Sequence, residues 1–254
     1  MSKPKKGDVI AVWFSCGAAS AIAAKKTIEL YGDYCEIRIL NNPVIEEEKD
    51  NIRFMNDVSK WLGVEIETVI NSKFTECSAV DVWDKRKYMS NANGEAPCTF
   101  ELKKKARREW EDNNHADWHV LGFTAEETHR AERIVKRELP ELLPILIHEN
   151  ISKADCFMLL RYAGIDLPDI YNKGYPNANC IGCVKATSPT YWNHVRKMHP
   201  DIFEARAEQS RRIGARLVRV KNVRIFLDEL DPSATGRPLK SMHVECGIFC
   251  EENS

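Results

Sequence analysis

Apolar residues in the first 150 positions fall into short runs separated by stretches of helical character. The runs at 9–14, 35–40, 65–70, 119–123 and 144–148 have the length and apolar content of buried strands. Strands that alternate with helices favour an α/β fold, in which a parallel, twisted sheet carries helices on both faces in a Rossmann-like arrangement. Ligands of such sheets bind beyond the carboxyl ends of the strands. The loops that follow these runs are therefore the expected place for a site.

The segments between the runs predict the helices of this fold. An Ala-rich segment follows the first run at once, an amphipathic segment at 46–62 stops at Gly63, and a basic segment covers about 99–110. Each would cross from one strand of the sheet to the next.

The first strand ends in a loop of small residues that leads directly into the Ala-rich helix. Small side chains let an anion approach the backbone, while the helix N-terminus supplies N–H groups and positive potential. The loop is not the P-loop of kinases and GTPases, because no Gly-Lys-Ser/Thr follows, and it lacks the three glycines of a dinucleotide-binding turn. A tight turn in any α/β protein would also need small residues. The expected phosphate- or sulfate-binding residues are Ser15, Cys16, Gly17, Ala18 and Ser20.

Polar residues also follow the second and fourth predicted strands. Asn41 and Asn42 end the second strand and are candidate nucleotide-binding residues, and the segment 122–130 follows the fourth strand. Arg130 and Arg133 would share a helical face and could clamp an anion, or they could form an ordinary solvated ion-pair face with the neighbouring glutamates. The candidate nucleotide-binding residues after the fourth strand are Gly122, Thr124, Glu127, Arg130 and Arg133.

Nine cysteines form the second group of candidate residues. Their odd number, with no export signal at the N-terminus, predicts a reducing compartment and thus a cytoplasmic protein. The pairs Cys180 with Cys183 and Cys246 with Cys250 offer four thiolates, enough for a 4Fe-4S cluster or Zn, and Cys98 is a further candidate ligand. Spacing does not separate the two metals, and scattered structural thiols are the alternative.

Charge and hydropathy argue against a membrane partner but leave a nucleic-acid-binding function open. The formal net charge is −1, so no global charge attracts a nucleic acid or a membrane. No apolar stretch has the length of a membrane span, and no membrane partner is expected. Basic runs at 103–108 and 203–224 could still follow a phosphate backbone. A nucleic-acid-binding protein with a structural zinc knuckle is therefore a further hypothesis, beside ordinary solvated helix faces.

The order of these motifs is similar to that of the phosphoadenylyl-sulfate (PAPS) reductase family, within the adenine nucleotide α-hydrolase or PP-loop superfamily. The resemblance lies in the segments 14–20, 46–63, 98–103, 122–130 and 245–248. It implies a nucleotide-binding α/β domain over residues 1–150 and a helical, cysteine-containing C-terminal region over 151–254 packed on it. It also implies that Cys246, in the terminal Glu-Cys-Gly-Ile, is the catalytic nucleophile.

The chain departs from the family's patterns at several positions. Thr99 stands where the cluster-bearing reductases have a second Cys, Thr124 replaces an Arg, and Phe249 replaces the terminal His. Ala19 replaces the Asp of the ATP-cleaving branch. Nucleotide binding is therefore better supported than any one reaction.

Two reactions are compatible with the resemblance. In the favoured one, the first loop holds adenylyl sulfate, and Cys246 attacks its sulfur to give a thiosulfonate. A thiol reductant protein, or Cys250, resolves this intermediate. In the alternative, ATP with Mg²⁺ adenylates a substrate, and a cluster on the cysteines supplies or relays sulfur to a nucleic acid or nucleoside.

Overall fold

The computed structural model of the chain describes residues 3–90 and 95–239. Within these residues the chain forms two compact units. Unit 1 comprises 3–43, 49–70 and 106–169, and unit 2 comprises 44–48, 71–90, 95–105 and 170–239. The units alternate along the sequence, and the division at residue 150 stays a prediction.

The sheet of unit 1 contains β1 (Val9–Trp13), β2 (Glu36–Asn41), β3 (Ile66–Thr68) and β4 (Trp118–Val120). The strand order is β3-β2-β1-β4, and every neighbouring pair is parallel. The middle of β1 is fully buried, as expected for a strand covered on both faces. The α/β fold class predicted from the hydrophobic pattern is therefore confirmed.

The described residues of both units also form α-helices. In chain order they are α1 (Ala18–Tyr31), α2 (Asn51–Leu62), α3 (Ala79–Arg86), α4 (Pro97–Thr99), α5 (Ala106–Glu111), α6 (Thr128–Arg137), α7 (Ile145–His148), α8 (Lys153–Tyr162), α9 (Asp169–Asn172), α10 (Pro189–Met198) and α11 (Pro200–Ile213). A π-helix, Phe100–Lys105, joins α4 to α5, so the predicted basic helix is present but widened in the middle. In the described part of the chain, no helix is both long and apolar enough to cross a membrane.

The strand predicted at 144–148 is wrong. Residues Ile145–His148 form α7, and the sheet is extended only by a single parallel bridge between His119 and Leu142. Pro144 follows directly and has no N–H to donate, so pairing does not continue beyond Leu143. Ile145 and Leu146 are buried in the helical turn instead.

The helix predicted at 46–62 begins later, at Asn51, and ends at the predicted Gly63, whose φ is 68°. Residues 44–48 belong to unit 2, where the Glu46 carboxylate caps α3. It accepts hydrogen bonds from the Ser78 hydroxyl and the Ala79 N–H, both at 2.8 Å. A carboxylate at this position neutralises the positive end of α3.

Unit 2 has its own apolar core, built largely around the fully buried Trp83 and Trp192. Two short strands, β5 (Val218–Val220) and β6 (Val223–Ile225), form an antiparallel hairpin in this unit. Three of the candidate metal ligands lie in the core: Cys98, Cys180 and Cys183.

Candidate functional site

The loop between β1 and α1 is held in shape by its own hydroxyl groups. The Ser20 Oγ accepts hydrogen bonds from the Ser15 N–H at 3.1 Å and from the Ser15 hydroxyl at 3.3 Å. The Ser20 hydroxyl donates in turn to the Gly17 carbonyl at 2.9 Å. Cys16 is buried and adopts a left-handed φ of 54°, an uncommon conformation for a residue other than Gly. The two serines thus form the loop rather than simply lining it.

The positive end of α1 has no neutralising group on its own helix. Gly17 is the N-cap residue and offers no side-chain acceptor, and no acidic residue lies in the first turn. The helix is 14 residues long, so the dipole of its peptide groups is fully developed. A bound anion at this N-terminus would interact favourably with the helix dipole and the free N–H groups, as an N-cap carboxylate does in other helices.

Asn41 and Asn42 brace the neighbouring strand ends. The Asn41 amide donates to the Phe14 carbonyl at 2.8 Å and lies 3.7 Å from the Cys16 sulfur. The Asn42 amide donates to the Val69 carbonyl, also at 2.8 Å. Both side chains are buried, so each amide fixes the position of a loop backbone.

The loop after β4 lies directly against the start of α1. A Cβ atom on Gly122 would lie 2.7 Å from the Ser20 backbone nitrogen and 2.9 Å from the Ala19 carbonyl carbon. Only a residue without a side chain permits this approach. Gly122 and Ser20 were predicted as candidate residues of two separate loops, and the fold brings them into contact.

The beginning of α6 is organised by Glu127. One carboxylate oxygen accepts from the Thr124 N–H at 3.1 Å, and the other pairs with Arg130 at 2.7 Å. The Arg130 guanidinium also lies 4.9 Å from the centroid of the Phe123 ring. Arg133 is exposed on the same helix. The Glu127 to Arg130 pair matches the ion-pair alternative, and the same guanidinium lies against Phe123 of the loop that adjoins α1.

These loops occupy the topological switch point of the sheet. β1 has β2 on one side and β4 on the other, so the chain reverses its direction of progress across the sheet at β1. In open parallel sheets the ligand crevice lies at this point, outside the carboxyl ends of the two central strands. The β1 loop and the β4 loop are the two loops that flank it.

The Cys180–Cys183 segment of unit 2 is a buried turn. Gly182 has a φ of 71°, and the Cys183 N–H donates to the buried Tyr191 hydroxyl at 2.8 Å. Burial raises the pKa of Tyr191, and the neighbouring Cys183 raises it further. Sequence reasoning had no means of finding Tyr191, which is eight positions downstream in α10.

Arg206 is the second residue of this region that the sequence did not single out. It is only 4% exposed, its guanidinium lies 4.3 Å from the centroid of the Trp83 ring, and a Cβ on Gly182 would lie 3.6 Å from its Nε. That Nε has no hydrogen-bond partner among the described residues. Burial lowers the pKa of Arg206, and Glu46, Cys180 and Cys98 act on it in the opposite direction.

The periodicity of α11 is the signal that could have revealed Arg206. Phe203, Arg206, Ala207 and Ser210 are all buried, and they follow the spacing of one helical face. The sequence alone shows Arg206 only as the first cation of a basic run, whose later arginines are mostly exposed.

The structure gathers some of the candidate metal ligands, not all. Cys98, Cys180 and Cys183 lie in one core, but no three Cys, His, Asp or Glu side chains converge as a ligand set anywhere in residues 3–90 and 95–239. The Thr99 hydroxyl is fully buried and has no hydrogen-bond partner in those residues. Cys246 and Cys250 lie outside the described residues, so their proposed roles stay predictions.

Comparison with known proteins leaves the family open. No family model matches the chain, and no curated protein is detectably similar to it. Among solved structures, the U34-tRNA thiolase NcsA from Methanococcus maripaludis with its [4Fe-4S] cluster aligns at 13% identity and a TM-score of 0.44, covering 82% of this chain and 70% of that one. NMN synthetase from Francisella tularensis aligns at 14% identity and a TM-score of 0.37, covering 78% of this chain and 85% of that one. Neither likeness is close enough to carry a functional assignment.

Proposed function

We propose that unit 1 binds an adenine nucleotide through its anionic tail, at the N-terminus of α1. The observation that carries the proposal is the contact between Gly122 and the first turn of α1. It joins the loops of β1 and β4 into one wall at the switch point, beside a helix N-terminus with no acidic residue of its own. The motif resemblance supports adenine as the base.

The chain's residues would share the work at this site. The backbone of 17–20 would hold the phosphate or sulfate, with Ser15 and Ser20 fixing the loop and Asn41 bracing it from β2. Arg130 would supply a positive charge from the β4 side, oriented by Glu127. Arg133, exposed on α6, would add a second charge to the same anion.

For the reaction, we propose reduction of a sulfonucleotide through Cys246. The Cys246 thiolate would attack the sulfur of adenylyl sulfate, forming an S–S bond while the bond from sulfur to the phosphate oxygen breaks. The nucleotide leaves as a 5′-phosphate, and the protein carries a thiosulfonate. A thiol of a reductant protein, or Cys250, would then attack the Cys246 sulfur, releasing sulfite and leaving a disulfide.

Two measurements test this proposal in sequence. Calorimetric binding of ATP, AMP and adenylyl sulfate tests the nucleotide site, and Gly17→Val should weaken it by obstructing the loop. Intact mass after incubation with adenylyl sulfate, without reductant, tests the reaction. We expect an added SO₃ group on the wild type and none on Cys246→Ser. Binding without any adduct would reject the reductase reaction and leave the nucleotide site standing.

A second function is favoured by the surroundings of Arg206. Its buried guanidinium lies beside the Cys180–Cys183 turn and would balance the negative charge of a thiolate-bound centre such as a 4Fe-4S cluster or zinc. Cys180 and Cys183 would hold the group, with Cys98 or the terminal cysteines completing the ligands. When bound, a cluster would supply or relay sulfur.

In this second function, the nucleotide site would bind ATP with Mg²⁺ and adenylate a nucleic acid or nucleoside. Anaerobic purification with iron and zinc analysis distinguishes it from the first. About four iron atoms per chain with visible absorption, lost in Cys183→Ser, would favour the cluster. A colourless protein with zinc would favour a structural site, and one without metal would favour reduction by thiols.

A further inference from the structure

The β5–β6 hairpin of unit 2 contains a cross-strand pair of like charges, which does not stabilise the hairpin. Arg219 lies directly opposite Arg224 in the antiparallel register. Side chains of such a pair share one face of the hairpin at about 5 Å between Cβ atoms, and like charges there repel. Arg219 is exposed, and no ion pair or hydrogen bond of its side chain occurs among the described residues.

Nearby acidic groups neutralise some arginines of this region and leave others. Arg211 pairs with Asp228 at 2.7 Å and with Glu229 at 3.1 Å, and Arg212 pairs with Asp84 at 2.9 Å. No Asp or Glu occurs between Gln209 and Leu227 in the sequence. The cations without an acidic partner in the described residues are Arg216, Arg219, Lys221 and Arg224.

Three of these cations, Arg219, Lys221 and Arg224, lie on the hairpin, and Arg216 precedes it with its guanidinium 5.3 Å from the centroid of the Phe226 ring. We call these four residues the hairpin surface. Arg219 and Arg224 occupy one face of the strands, and Lys221 is in the turn with Asn222, both at positive φ. The opposite face is apolar; its Val218 is fully buried in unit 2, and its Val223 is exposed. Arg219 and Lys221 are exposed, while Arg224 is half-buried and its guanidinium donates to the Leu217 carbonyl at 3.1 Å.

Guanidinium groups bind phosphate through paired, charge-assisted hydrogen bonds, and three of the four cations are arginines. Three cations on two strands and a turn, with a fourth just before the first strand, suit a chain of phosphates better than a single ion. The turn residues Lys221 and Asn222 are polar, which favours a nucleic acid over insertion into a lipid surface. We infer that the hairpin surface binds the phosphate backbone of a nucleic acid.

This binding is independent of the nucleotide site in unit 1. Salt dependence measures it directly, since each phosphate contact releases counterions and contributes about 0.7 to the slope of log K against log salt for single strands. The probes are a labelled mixed-sequence single-stranded RNA and a duplex DNA, followed by fluorescence anisotropy over a salt series.

The test variants are Arg219→Gln and the double variant Arg219→Gln with Arg224→Gln. We expect the double variant to lower the salt slope by about 1.4 for a single strand and to weaken binding at least about tenfold at low salt. Because a repulsive pair is removed, the melting temperature of Arg219→Gln should not fall. A double variant of the exposed Arg137 and Arg161 to Gln changes the net charge equally and should leave the slope unchanged.

Three results would overturn the inference. They are no binding of either probe at low salt, an equal slope in the wild type and the hairpin variant, and an equal loss in the Arg137 and Arg161 control. Binding of phosphatidylserine vesicles that depends on Arg219, with no nucleic-acid binding, would assign the surface to a membrane instead.

Discussion

Replacing Gly122 by Ala tests the contact on which the nucleotide site is built. The new Cβ would lie 2.7 Å from the Ser20 nitrogen and 2.9 Å from the Ser20 Cα. These are backbone atoms of the first turn of α1, so no side chain can rotate away. Such overpacking costs about 1–3 kcal/mol, and rigid neighbours place this variant in the upper part of that range.

The strain should appear in nucleotide binding as well as in stability. Relief requires the β4 loop to move away from α1 or the β1 loop to change shape. Either movement spoils hydrogen bonds to a bound anion, which are worth about 1.5–3 kcal/mol when a charge is involved. We therefore expect ATP and adenylyl sulfate to bind about 10- to 100-fold more weakly, as measured by calorimetry.

Gly63→Ala is the matched control. Gly63 ends α2 at a φ of 68°, and its Cβ would meet nothing within 4 Å, so the variant loses about 1–2 kcal/mol of stability without touching the site. Urea denaturation of both variants measures how much stability each has lost, so that their nucleotide affinities can be compared on that basis. If Gly122→Ala is destabilised yet binds nucleotide as the wild type does, the contact lies outside the site.

The remaining predictions concern three other residues. Arg130→Gln should weaken nucleotide binding about tenfold by removing a charge-assisted contact, whereas unchanged calorimetric affinity would leave only its ion pair with Glu127. Arg206→Met should lower the iron or zinc content of anaerobically purified protein while urea denaturation shows retained folding, because a well-packed apolar side chain can replace a buried charge; full metal retention would contradict this. Burial, with Arg107 adding to it, lowers the pKa of His119 to about 4, and Trp13 donates to its Nδ1 at 3.1 Å, which keeps the ring neutral. The unfolded chain takes up this proton from about pH 6.5 downward, so the contribution of His119 to the free energy of unfolding should be constant above pH 6.5 and fall by up to about 3 kcal/mol as the pH drops to 4. The urea midpoints of His119→Gln should depend less on pH over that interval, and an equal dependence would refute the assignment.

The local features of this chain could be predicted from its sequence. The first strand, the small-residue loop, the Ala-rich helix and the Gly63 stop depend on side chains a few positions apart, so hydrophobic period and turn chemistry predict them. The segment 144–148 shows the limit of this reasoning, because a short apolar run suits a strand or a buried helix equally. Pro144 and the available partner on β4 decided between them.

Only the tertiary structure determined which residues work together. The strand order placed Gly122 against Ser20 across about a hundred positions of sequence, a contact set by sheet topology rather than by any local preference. The environment of each arginine was likewise decided by tertiary structure, since the arginines of 206–224 cannot be told apart in the sequence. Packing against Trp83 buries Arg206, and Asp228 neutralises Arg211, while Arg219 faces another arginine. Burial and pairing depend on neighbours brought together by folding, and these neighbours decide what each charge can bind.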